Sequence, residues 1–334
     1  MRKIAINGFG RIGRIAYRAL LGSNEFEVVA INDFSSPEEL SYLLKYDTVH
    51  RTLNEDVTYT EAGILVNGKL TKCLNIKEPA LLPWGELGVD CVLECTGAFT
   101  SYEKAMAHIN AGAGHVVISA PAKGEMKTIV FGVNDNILDG SEAIISAASC
   151  TTNCLAPVLK VIETYLGIES GFMTTVHAYT NDQATLDGTH SKGITSRRGR
   201  AAAANIVPAS TGAANAIGEV IPELKGKLDG TAFRVPVSDG SVIDLSLVLK
   251  RATSVEELNG FFAMNANGVL KFTMDPVVSS DVIGNNCGAL IDGLSTTVLD
   301  ENKQMVKVVA WYDNEYGYTI QMLRTMEALL NKAN

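Results

Sequence analysis

A glycine-rich turn near the start of the chain constrains the fold more than any other feature. Residues 3–7 form a short apolar strand, and Gly8-Phe9-Gly10-Arg11-Ile12-Gly13 follows it with the spacing G-x-G-x-x-G before a helix. The first glycine permits a tight turn, the second lets the backbone approach a pyrophosphate, and the third lets the helix pack on the strand. Because the N–H groups at the start of the helix favour negative charge, the turn predicts a dinucleotide-binding unit.

An acidic residue after the next predicted strand indicates which dinucleotide is bound. Asp33 follows the apolar run 27–31 and lies 20 residues beyond Gly13. A carboxylate at this place binds the hydroxyls of the adenosine ribose and repels the 2′-phosphate of NADP. No arginine stands in the next three residues to reverse that preference. The sequence therefore predicts NAD as the cofactor.

The alternation of strands and helices continues to residue 149 and predicts a Rossmann-type, doubly wound parallel sheet. Apolar strands are predicted at 89–95, 115–119 and 143–148, with a helix at 101–112. Ligands of such sheets bind at the carboxyl ends of the strands. The residues expected to contact the cofactor there are Thr96, Gly97 and Ser119.

After residue 150 the chain changes to longer strands joined by hairpins, which predicts a second domain of mainly antiparallel sheet covered by helices. The fold class is thus α/β plus α+β. Residues 181–200 show no periodicity, and unstructured segments of this length are usually functional or form interfaces. The domains expected are 1–149 with 315–334 for NAD binding and 150–314 for catalysis. The other predicted elements are a helix with Pro157 in its first turn, strands at 172–180, 231–237, 241–250 and 304–311, and helices from Thr211 to Glu223, from Val255, and from Thr319 to Asn331.

A cysteine at a predicted helix start is the candidate nucleophile. Cys150 ends the strand that precedes the helix, and unpaired N–H groups there favour the thiolate. His177 lies on a predicted strand 27 residues later and is a candidate base, although spacing alone also allows a buried structural histidine. Beside a nicotinamide, such a pair predicts aldehyde oxidation through a thiohemiacetal and a thioester. The alternative is a Cys–His acyltransferase without a redox step, against which the dinucleotide turn argues.

Composition excludes several other classes of function. The formal net charge of −9 argues against a nucleic-acid or acidic-membrane partner. The six cysteines include no C-x-x-C pair, so no metal site is expected, and His108 and His115 are interpreted as structural or surface residues. No apolar run approaches about 18 residues and the N-terminus shows no signal peptide, so we expect a soluble, cytoplasmic protein.

Several segments together resemble the signatures of the phosphorylating glyceraldehyde-3-phosphate dehydrogenase family, and the resemblance spans essentially the whole chain. It implies a glycolytic enzyme that forms a homotetramer, with the loop 181–206 lining a neighbour's cofactor site. The segments are Asn7-Gly8-Phe9-Gly10-Arg11-Ile12-Gly13-Arg14, Ser119-Ala120-Pro121, Ala148-Ser149-Cys150-Thr151-Thr152-Asn153-Cys154, His177-Ala178-Tyr179-Thr180 and Trp311-Tyr312-Asp313-Asn314-Glu315.

The resemblance also implies the role of each site residue. Cys150 attacks the aldehyde carbon of glyceraldehyde 3-phosphate, His177 is the base, and inorganic phosphate attacks the thioester to give 1,3-bisphosphoglycerate. The implied substrate-phosphate site is Thr180, Asp182 and Arg234, and the implied attacking-phosphate site is Ser149, Thr151, Arg198, Thr211 and Gly212. The cofactor-binding residues are expected to be Gly8, Phe9, Gly10, Arg11, Ile12, Gly13, Asp33, Lys77, Thr96, Gly97, Ser119, Asn181 and Asn314, with Asn314 orienting the carboxamide.

Two questions stay open at this point. The resemblance implies Arg198 as the phosphate ligand, but its neighbours Arg197 and Arg200 stay open as alternatives. The loop 188–196 is a few residues longer than in most members of the family, which leaves the alignment of these arginines open. Erythrose-4-phosphate dehydrogenase, which delivers the thioester to water on the same scaffold, is an alternative. The combination of Arg198 with Thr211 and Gly212 favours phosphate as the acceptor. Lys77 also departs from the family, which usually has arginine at this position.

Overall fold

The structure is a computed structural model that describes residues 1–333, and its chain forms two compact units. The first unit comprises 1–131, 135–149 and the segment from Met322, and the second comprises 132–134 and 150–321. The chain passes from one unit to the other between residues 149 and 150, where the predicted domains also meet. The returning segment begins at Met322, not at residue 315 as predicted. Asn334, the last residue of the predicted domain, lies outside the described residues.

The first unit is built on a largely parallel sheet with the strand order β3-β4-β5-β2-β1-β6-β7-β9-β8. Its strands are β1 (Arg2–Asn7), β2 (Phe26–Asn32), β3 (Val57–Thr60), β4 (Gly63–Val66), β5 (Lys69–Leu74), β6 (Cys91–Glu94), β7 (His115–Ile118), β8 (Lys127–Thr128) and β9 (Ile144–Ser146). Its helices are α1 (Arg11–Leu20), α2 (Pro37–Lys45), α3 (Trp84–Leu87) and α4 (Tyr102–Asn110). The Rossmann-type domain predicted from the sequence is confirmed.

The strand order reverses at β1, which pairs in parallel with β2 on one side and with β6 on the other. The connections from β1 to β2 and from β6 to β7 therefore leave the sheet in opposite directions, which opens a crevice at the carboxyl ends of β1 and β6. All four residues of β6 are buried, as expected for a central parallel strand covered on both faces. The predicted hairpin at Asn67-Gly68 joins β4 to β5, and both residues have positive φ, as a type I′ turn requires.

The second unit contains a mixed sheet with the strand order β11-β12-β10-β13-β17-β15-β14, with β16 pairing with β17. Most neighbours are antiparallel, as predicted, but β10 with β12 and β14 with β15 run parallel. The strands are β10 (Ile168–Ala178), β11 (Val207–Ser210), β12 (Leu228–Val235), β13 (Ser241–Leu249), β14 (Leu270–Thr273), β15 (Ala289–Asp292), β16 (Thr297–Val298) and β17 (Met305–Tyr312). The helices are α5 (Cys150–Tyr165), α6 (Ala213–Val220), α7 (Val255–Met264) and α8 (Tyr316–Lys332), the last of which continues into the first unit.

Helix α5 is the central helix of the second unit and packs against α6, α7 and the strands β15 and β17. Its residues from Thr151 to Leu159 are all buried. Pro157 lies inside this helix and not in its first turn as predicted, because the helix already begins at Cys150. A proline there removes the N–H that would bond to the carbonyl of Asn153, four residues earlier.

The loop 181–206 carries one short 3₁₀ turn, Arg197–Gly199, between β10 and β11. Its path is fixed by backbone bonds across the loop, such as Ala184 N–H to the Arg198 carbonyl at 2.9 Å and Gly188 N–H to the Gly199 carbonyl at 2.8 Å. These bonds hold Arg198 near the end of β10. Within residues 1–333, no helix combines the length and apolar character needed to cross a lipid bilayer.

Candidate active site

The glycine-rich turn packs as its spacing predicts. Gly8 has φ of +92°, and a Cβ there would lie 2.8 Å from the backbone nitrogen of Thr96, so only glycine allows β1 and β6 to approach this closely. A Cβ on Gly13 would lie 2.2 Å from the Gly8 carbonyl oxygen. A Cβ on Gly10 would meet nothing within 4 Å, which leaves space above the helix start. The turn therefore fits a pyrophosphate at Gly10.

Asp33 is held in the same turn by backbone donors. Its Oδ2 accepts the Phe9 N–H at 2.8 Å, and its Oδ1 accepts the Ser35 N–H at 3.0 Å. These bonds fix the carboxylate beside the turn, where a ribose would need it. The Phe9 ring is buried and packs edge-to-face on Tyr17, and the Arg11 guanidinium is paired with Asp47. Because both side chains are engaged in this way, we expect Phe9 and Arg11 to contact the cofactor through their backbone.

The remaining predicted cofactor residues lie at strand ends or in loops. Thr96 and Gly97 follow β6 and are exposed, and Gly97 has φ of +71°. Ser119 directly follows β7 and is partly buried, and Lys77 is exposed after β5. In the second unit, Asn181 is exposed, whereas Asn314 is buried and its Oδ1 accepts the Ser241 hydroxyl at 2.6 Å.

Cys150 is the first residue of α5. It follows a turn in which a non-glycine residue adopts a positive φ. Ala148 has φ of +58°, a left-handed conformation that costs a non-glycine residue about 1–2 kcal/mol. The turn brings the chain from β9 into α5, so that the Cys150 Sγ lies 3.4 Å from His177 Nε2. His177 is near the end of β10 and only 4% exposed. The predicted nucleophile and base are therefore in contact.

The hydrogen bonds of His177 assign its tautomer. Its Nδ1 lies 2.7 Å from the Ala178 carbonyl oxygen, which can only accept, so Nδ1 carries the proton. Arg234 approaches the same nitrogen at 2.9 Å, but its Nη1 has two better acceptors, the Ala178 carbonyl and the Thr180 hydroxyl, each at 3.0 Å. The lone pair of Nε2 then faces Cys150, as a general base requires.

Burial favours the neutral form of both residues of this pair, and a nearby positive charge favours it for His177 but acts in the opposite sense on the thiol. Burial raises the pKa of the Cys150 thiol, and the charge of Arg234 only partly offsets it. Burial and the nearby Arg234 charge lower the pKa of His177 from 6.5 to about 3. Burial therefore opposes the stabilisation of the thiolate that the helix start is predicted to provide.

A chain of polar contacts runs from His177 to the loop. Arg234 Nη1 donates to the Thr180 hydroxyl, that hydroxyl donates to Asp182 Oδ1, and Arg198 Nη1 donates to Asp182 Oδ2. Burial alone would raise the pKa of Asp182, but the Thr180 hydroxyl and the Arg198 charge together lower it. One carboxylate thus holds two arginines beside the base, and both guanidinium groups can bind phosphate.

These polar contacts distinguish the three arginines of the loop from one another. Arg198 is only 19% exposed and pairs with Asp182, whereas Arg200 is 63% exposed and pairs with Asp187 at the surface. Arg197 and Arg198 line a cavity of about 570 Å³ together with Ser210. The structure therefore supports Arg198 as the arginine beside the candidate base.

The other predicted phosphate ligands are less directly linked to this chain. Helix α6 begins at Ala213, later than predicted, with Gly212 before it, and Thr211 Oγ1 accepts the Ala213 N–H at 3.2 Å. Across residues 1–333, no hydrogen bond joins Thr211 or Gly212 to Arg198 or Arg234. Ser149 immediately precedes the nucleophile. Cys154 is fully buried, in agreement with its predicted packing role.

Sequence reasoning missed Tyr312 as a site residue. Its hydroxyl lies 3.0 Å from Thr151 Oγ1 and 2.8 Å from Thr175 Oγ1, and its ring packs edge-to-face on His177. It therefore joins the first turn of α5 to β10, which carry the nucleophile and the base. Tyr312 belongs to the segment Trp311-Tyr312-Asp313-Asn314-Glu315, which carries part of the family resemblance, and the predicted role in that segment falls on Asn314.

Comparison with known proteins decides the family. Residues 2–102 match the family model described as "Glyceraldehyde 3-phosphate dehydrogenase, NAD binding domain", and residues 149–314 match "Glyceraldehyde 3-phosphate dehydrogenase, C-terminal domain". The chain belongs to the glyceraldehyde 3-phosphate dehydrogenase family. Curated relatives named glyceraldehyde-3-phosphate dehydrogenase include those of Clostridium pasteurianum, 56% identical over 98% of each chain, and Clostridium acetobutylicum, 55% identical over 98% of each chain. That of Streptococcus pyogenes is 50% identical over 97% of each chain.

Membership of this family confirms the predicted enzyme class. The chain is an NAD-dependent oxidoreductase, and its first domain binds NAD. The Cys–His acyltransferase alternative is thereby excluded, because that reaction has no redox step and needs no dinucleotide. The family also confirms the predicted combination of a Rossmann-type domain with a second, mainly antiparallel domain.

Proposed function

We propose that this enzyme oxidises D-glyceraldehyde 3-phosphate with NAD and inorganic phosphate to 1,3-bisphosphoglycerate, the phosphorylating reaction of glycolysis. One observation carries the proposal: the Cys150–His177 pair lies against Arg234, whose Nη1 is 2.9 Å from His177 Nδ1 and donates to the Thr180 hydroxyl. A thiol nucleophile beside two cationic side chains suits a substrate that carries both an aldehyde and a phosphate.

The first step is attack by the thiol. His177 Nε2, 3.4 Å from Sγ, takes the thiol proton while Sγ forms a bond to the aldehyde carbon, which gives a thiohemiacetal on Cys150. His177 and the backbone N–H at the start of α5 stabilise the oxygen that becomes negative. Bound NAD contributes one chemical function, the acceptance of a hydride, after which the carbon on Cys150 is a thioester.

The second step is attack by phosphate. A phosphate oxygen forms a bond to the thioester carbon, the carbon–sulfur bond breaks, and the Cys150 thiolate leaves. Its proton returns from His177. Sulfur is a good leaving atom, so the acyl group keeps its transfer potential for phosphate. We assign the attacking phosphate to Ser149, Thr151, Arg198, Thr211 and Gly212, and the substrate phosphate to Thr180, Asp182 and Arg234.

The cofactor-binding residues are also part of the proposal. Gly8, Gly10 and Gly13 would hold the pyrophosphate, Asp33 the adenosine ribose, and Asn314 the nicotinamide carboxamide. The packing at Gly8 and Gly13 and the open space at Gly10 support the first assignment. The other candidate ligands are Phe9, Arg11 and Ile12 through their backbone, and Lys77, Thr96, Gly97, Ser119 and Asn181.

Initial rates of NADH formation at 340 nm test the reaction. Glyceraldehyde 3-phosphate and erythrose 4-phosphate would each be assayed with and without inorganic phosphate. We expect turnover of the first substrate only when phosphate is present. Phosphate-independent turnover, or a preference for erythrose 4-phosphate, would replace the proposal with erythrose-4-phosphate dehydrogenase. Cys150→Ser should abolish oxidation while NAD still binds in calorimetry, which separates loss of the nucleophile from loss of the fold.

We also propose a cytoplasmic homotetramer. Large apolar side chains of the second unit are exposed: Phe172 on β10 (69%), Leu186 (78%), Ile194 (100%) and Ile206 (69%). Residues of this kind favour burial against another subunit. A reduced thiol nucleophile suits the reducing cytoplasm. Sedimentation velocity should give a mass near four times the 35.7 kDa of one chain, and a monomer at micromolar concentration would refute the assembly.

A further inference from the structure

A buried chain of hydrogen bonds crosses the first unit below the carboxyl ends of its central strands. It links Ile76, after β5, to Asn32 on β2, Asn7 on β1 and Glu94 on β6. From Glu94 it continues to His108 on α4 and Trp84 on α3. Asn7, Glu94, His108 and Trp84 are each at most 1% exposed. None of these side chains has a role in the proposed chemistry.

The direction of each bond in the chain is fixed from its two ends. At one end, the Ile76 N–H donates to Asn32 Oδ1 at 2.9 Å, so Asn32 Nδ2 must donate to Asn7 Oδ1 at 2.7 Å. Asn7 Nδ2 then donates to Glu94 Oε2 at 2.6 Å. At the other end, Trp84 Nε1, which can only donate, donates to His108 Nδ1 at 3.0 Å.

Both ends therefore deliver donors to one carboxylate. With Nδ1 of His108 accepting from Trp84, its Nε2–H donates to Glu94 Oε2 at 3.1 Å. The other oxygen, Oε1, accepts the Thr96 backbone N–H at 2.8 Å and the Thr96 hydroxyl. Glu94 thus receives a donor from every direction, and only an acceptor-only group can satisfy all of them.

The residues of this chain of hydrogen bonds lie next to candidate cofactor residues in the sequence. Asn7 precedes Gly8, Asn32 precedes Asp33, Ile76 precedes Lys77, and Glu94 lies two residues before Thr96. The backbones of Gly8 and Thr96 approach so closely that a Cβ on Gly8 would touch the Thr96 nitrogen at 2.8 Å. A shift of one strand end would therefore displace a cofactor-binding residue. That displacement is what the chain of bonds prevents.

We propose that Glu94 is a positioning residue for NAD. Its carboxylate holds Thr96 and, through Asn7 and Asn32, fixes the carboxyl ends of β6, β1 and β2 relative to one another, where the dinucleotide binds. The inference rests on the proposed cofactor site and adds to it residues that do not touch the cofactor. His108, interpreted from the sequence as a structural or surface residue, belongs to this chain as a buried member.

Glu94→Gln tests the direction of the bonds while it preserves the shape of the side chain. Whichever way the new amide turns, its NH2 group faces a donor that cannot reverse. At one position these donors are the Asn7 amide and the His108 Nε2–H, and at the other the donor is the Thr96 backbone N–H. A buried unsatisfied donor costs enough to weaken binding about tenfold. We expect the dissociation constant of NAD, measured by calorimetry on the purified enzyme, to rise by about that factor. KM for NAD should rise with it, and kcat at saturating NAD should change little.

A compensating variant distinguishes positioning from a general loss of stability. In Glu94→Gln with Asn7→Asp, the aspartate accepts from the new amide and still accepts from Asn32, while the His108 N–H stays opposed, so part of the NAD affinity should return. Asn7→Asp alone places two carboxylates together and should weaken NAD binding. Val92→Ala, a fully buried change in the same strand outside the chain, should lower the melting temperature without changing the dissociation constant.

Three results would overturn the inference. One is a Glu94→Gln dissociation constant within twofold of the parent enzyme, another is a Val92→Ala constant raised as much as that of Glu94→Gln, and the third is no recovery in the double variant. If Glu94→Gln does not fold, Asn7→Asp decides alone, since an unchanged constant in that variant contradicts the role. If Asp33→Gly also leaves NAD affinity unchanged, the proposed cofactor site has failed, not the positioning by Glu94.

Discussion

Replacement of His177 by asparagine should make the enzyme less sensitive to acid. Its pKa of about 3 in the folded protein lies below the ordinary value of 6.5, so between these values the unfolded chain binds a proton that the folded chain does not. The contribution of His177 to stability is therefore complete above pH 6.5 and is lost as the pH falls towards 3. At pH 5, which is 1.5 pH units below 6.5, the loss is about 2 kcal/mol, at about 1.4 kcal/mol per unit.

The assay is urea unfolding followed by circular dichroism at pH 7.5 and pH 5. Between these two values the parent enzyme should lose about 2 kcal/mol more of its unfolding free energy than His177→Asn does. Thr175→Val is a matched control: it is a buried change on the same strand that removes a hydroxyl bonded to Tyr312 but no titrating group, so its pH dependence should follow the parent. Equal losses in His177→Asn and the parent would refute a depressed pKa at this histidine.

Three further predictions concern the glycine-rich turn, Asp33 and the arginines of the loop 181–206. Gly13→Ala should destabilise the first unit by about 2 kcal/mol in urea unfolding, because its Cβ would overlap a backbone carbonyl at 2.2 Å, whereas Gly10→Ala should leave stability almost unchanged and weaken NAD binding in calorimetry. Asp33→Gly should increase the affinity for NADP, measured in the same way, and an unchanged NADP affinity would place the ribose elsewhere. Arg198→Ala should raise KM for phosphate at least about tenfold, whereas Arg200→Ala should change it less than twofold, and the reverse order would assign the site to the other arginine.

Local sequence signals predicted the elements that local interactions determine. The turn from Gly8 to Gly13 and the hairpin at Asn67-Gly68 each depend on residues a few positions apart. The same holds for Cys150, whose place at a helix start followed from a strand, a polar turn and a helix in succession. The family resemblance then supplied His177, which spacing alone left undecided.

What the sequence did not predict depends on contacts between distant residues. The parallel pairing of β10 with β12 joins strands more than 50 residues apart, and no local pattern specifies it. Burial, which the local pattern does not show, raises the pKa of the Cys150 thiol and so opposes the predicted effect of the helix start. Glu94 and His108 are 14 residues apart in sequence and meet only because β6 and α4 pack together. Polar residues in an apolar strand and on a helix gave no sign of that contact.

The return of helix α8 to the first unit has a consequence for biosynthesis. The sheet of this unit uses residues before 150, but Met322, Met326 and Leu329 are buried in the unit and come from a segment that follows the whole second unit. On the ribosome, the NAD-binding unit would emerge first and still lack part of its core until translation has passed residue 329. A nascent chain halted before that point should expose apolar surface to chaperones. The order of synthesis and the order of completion of the two units are therefore different.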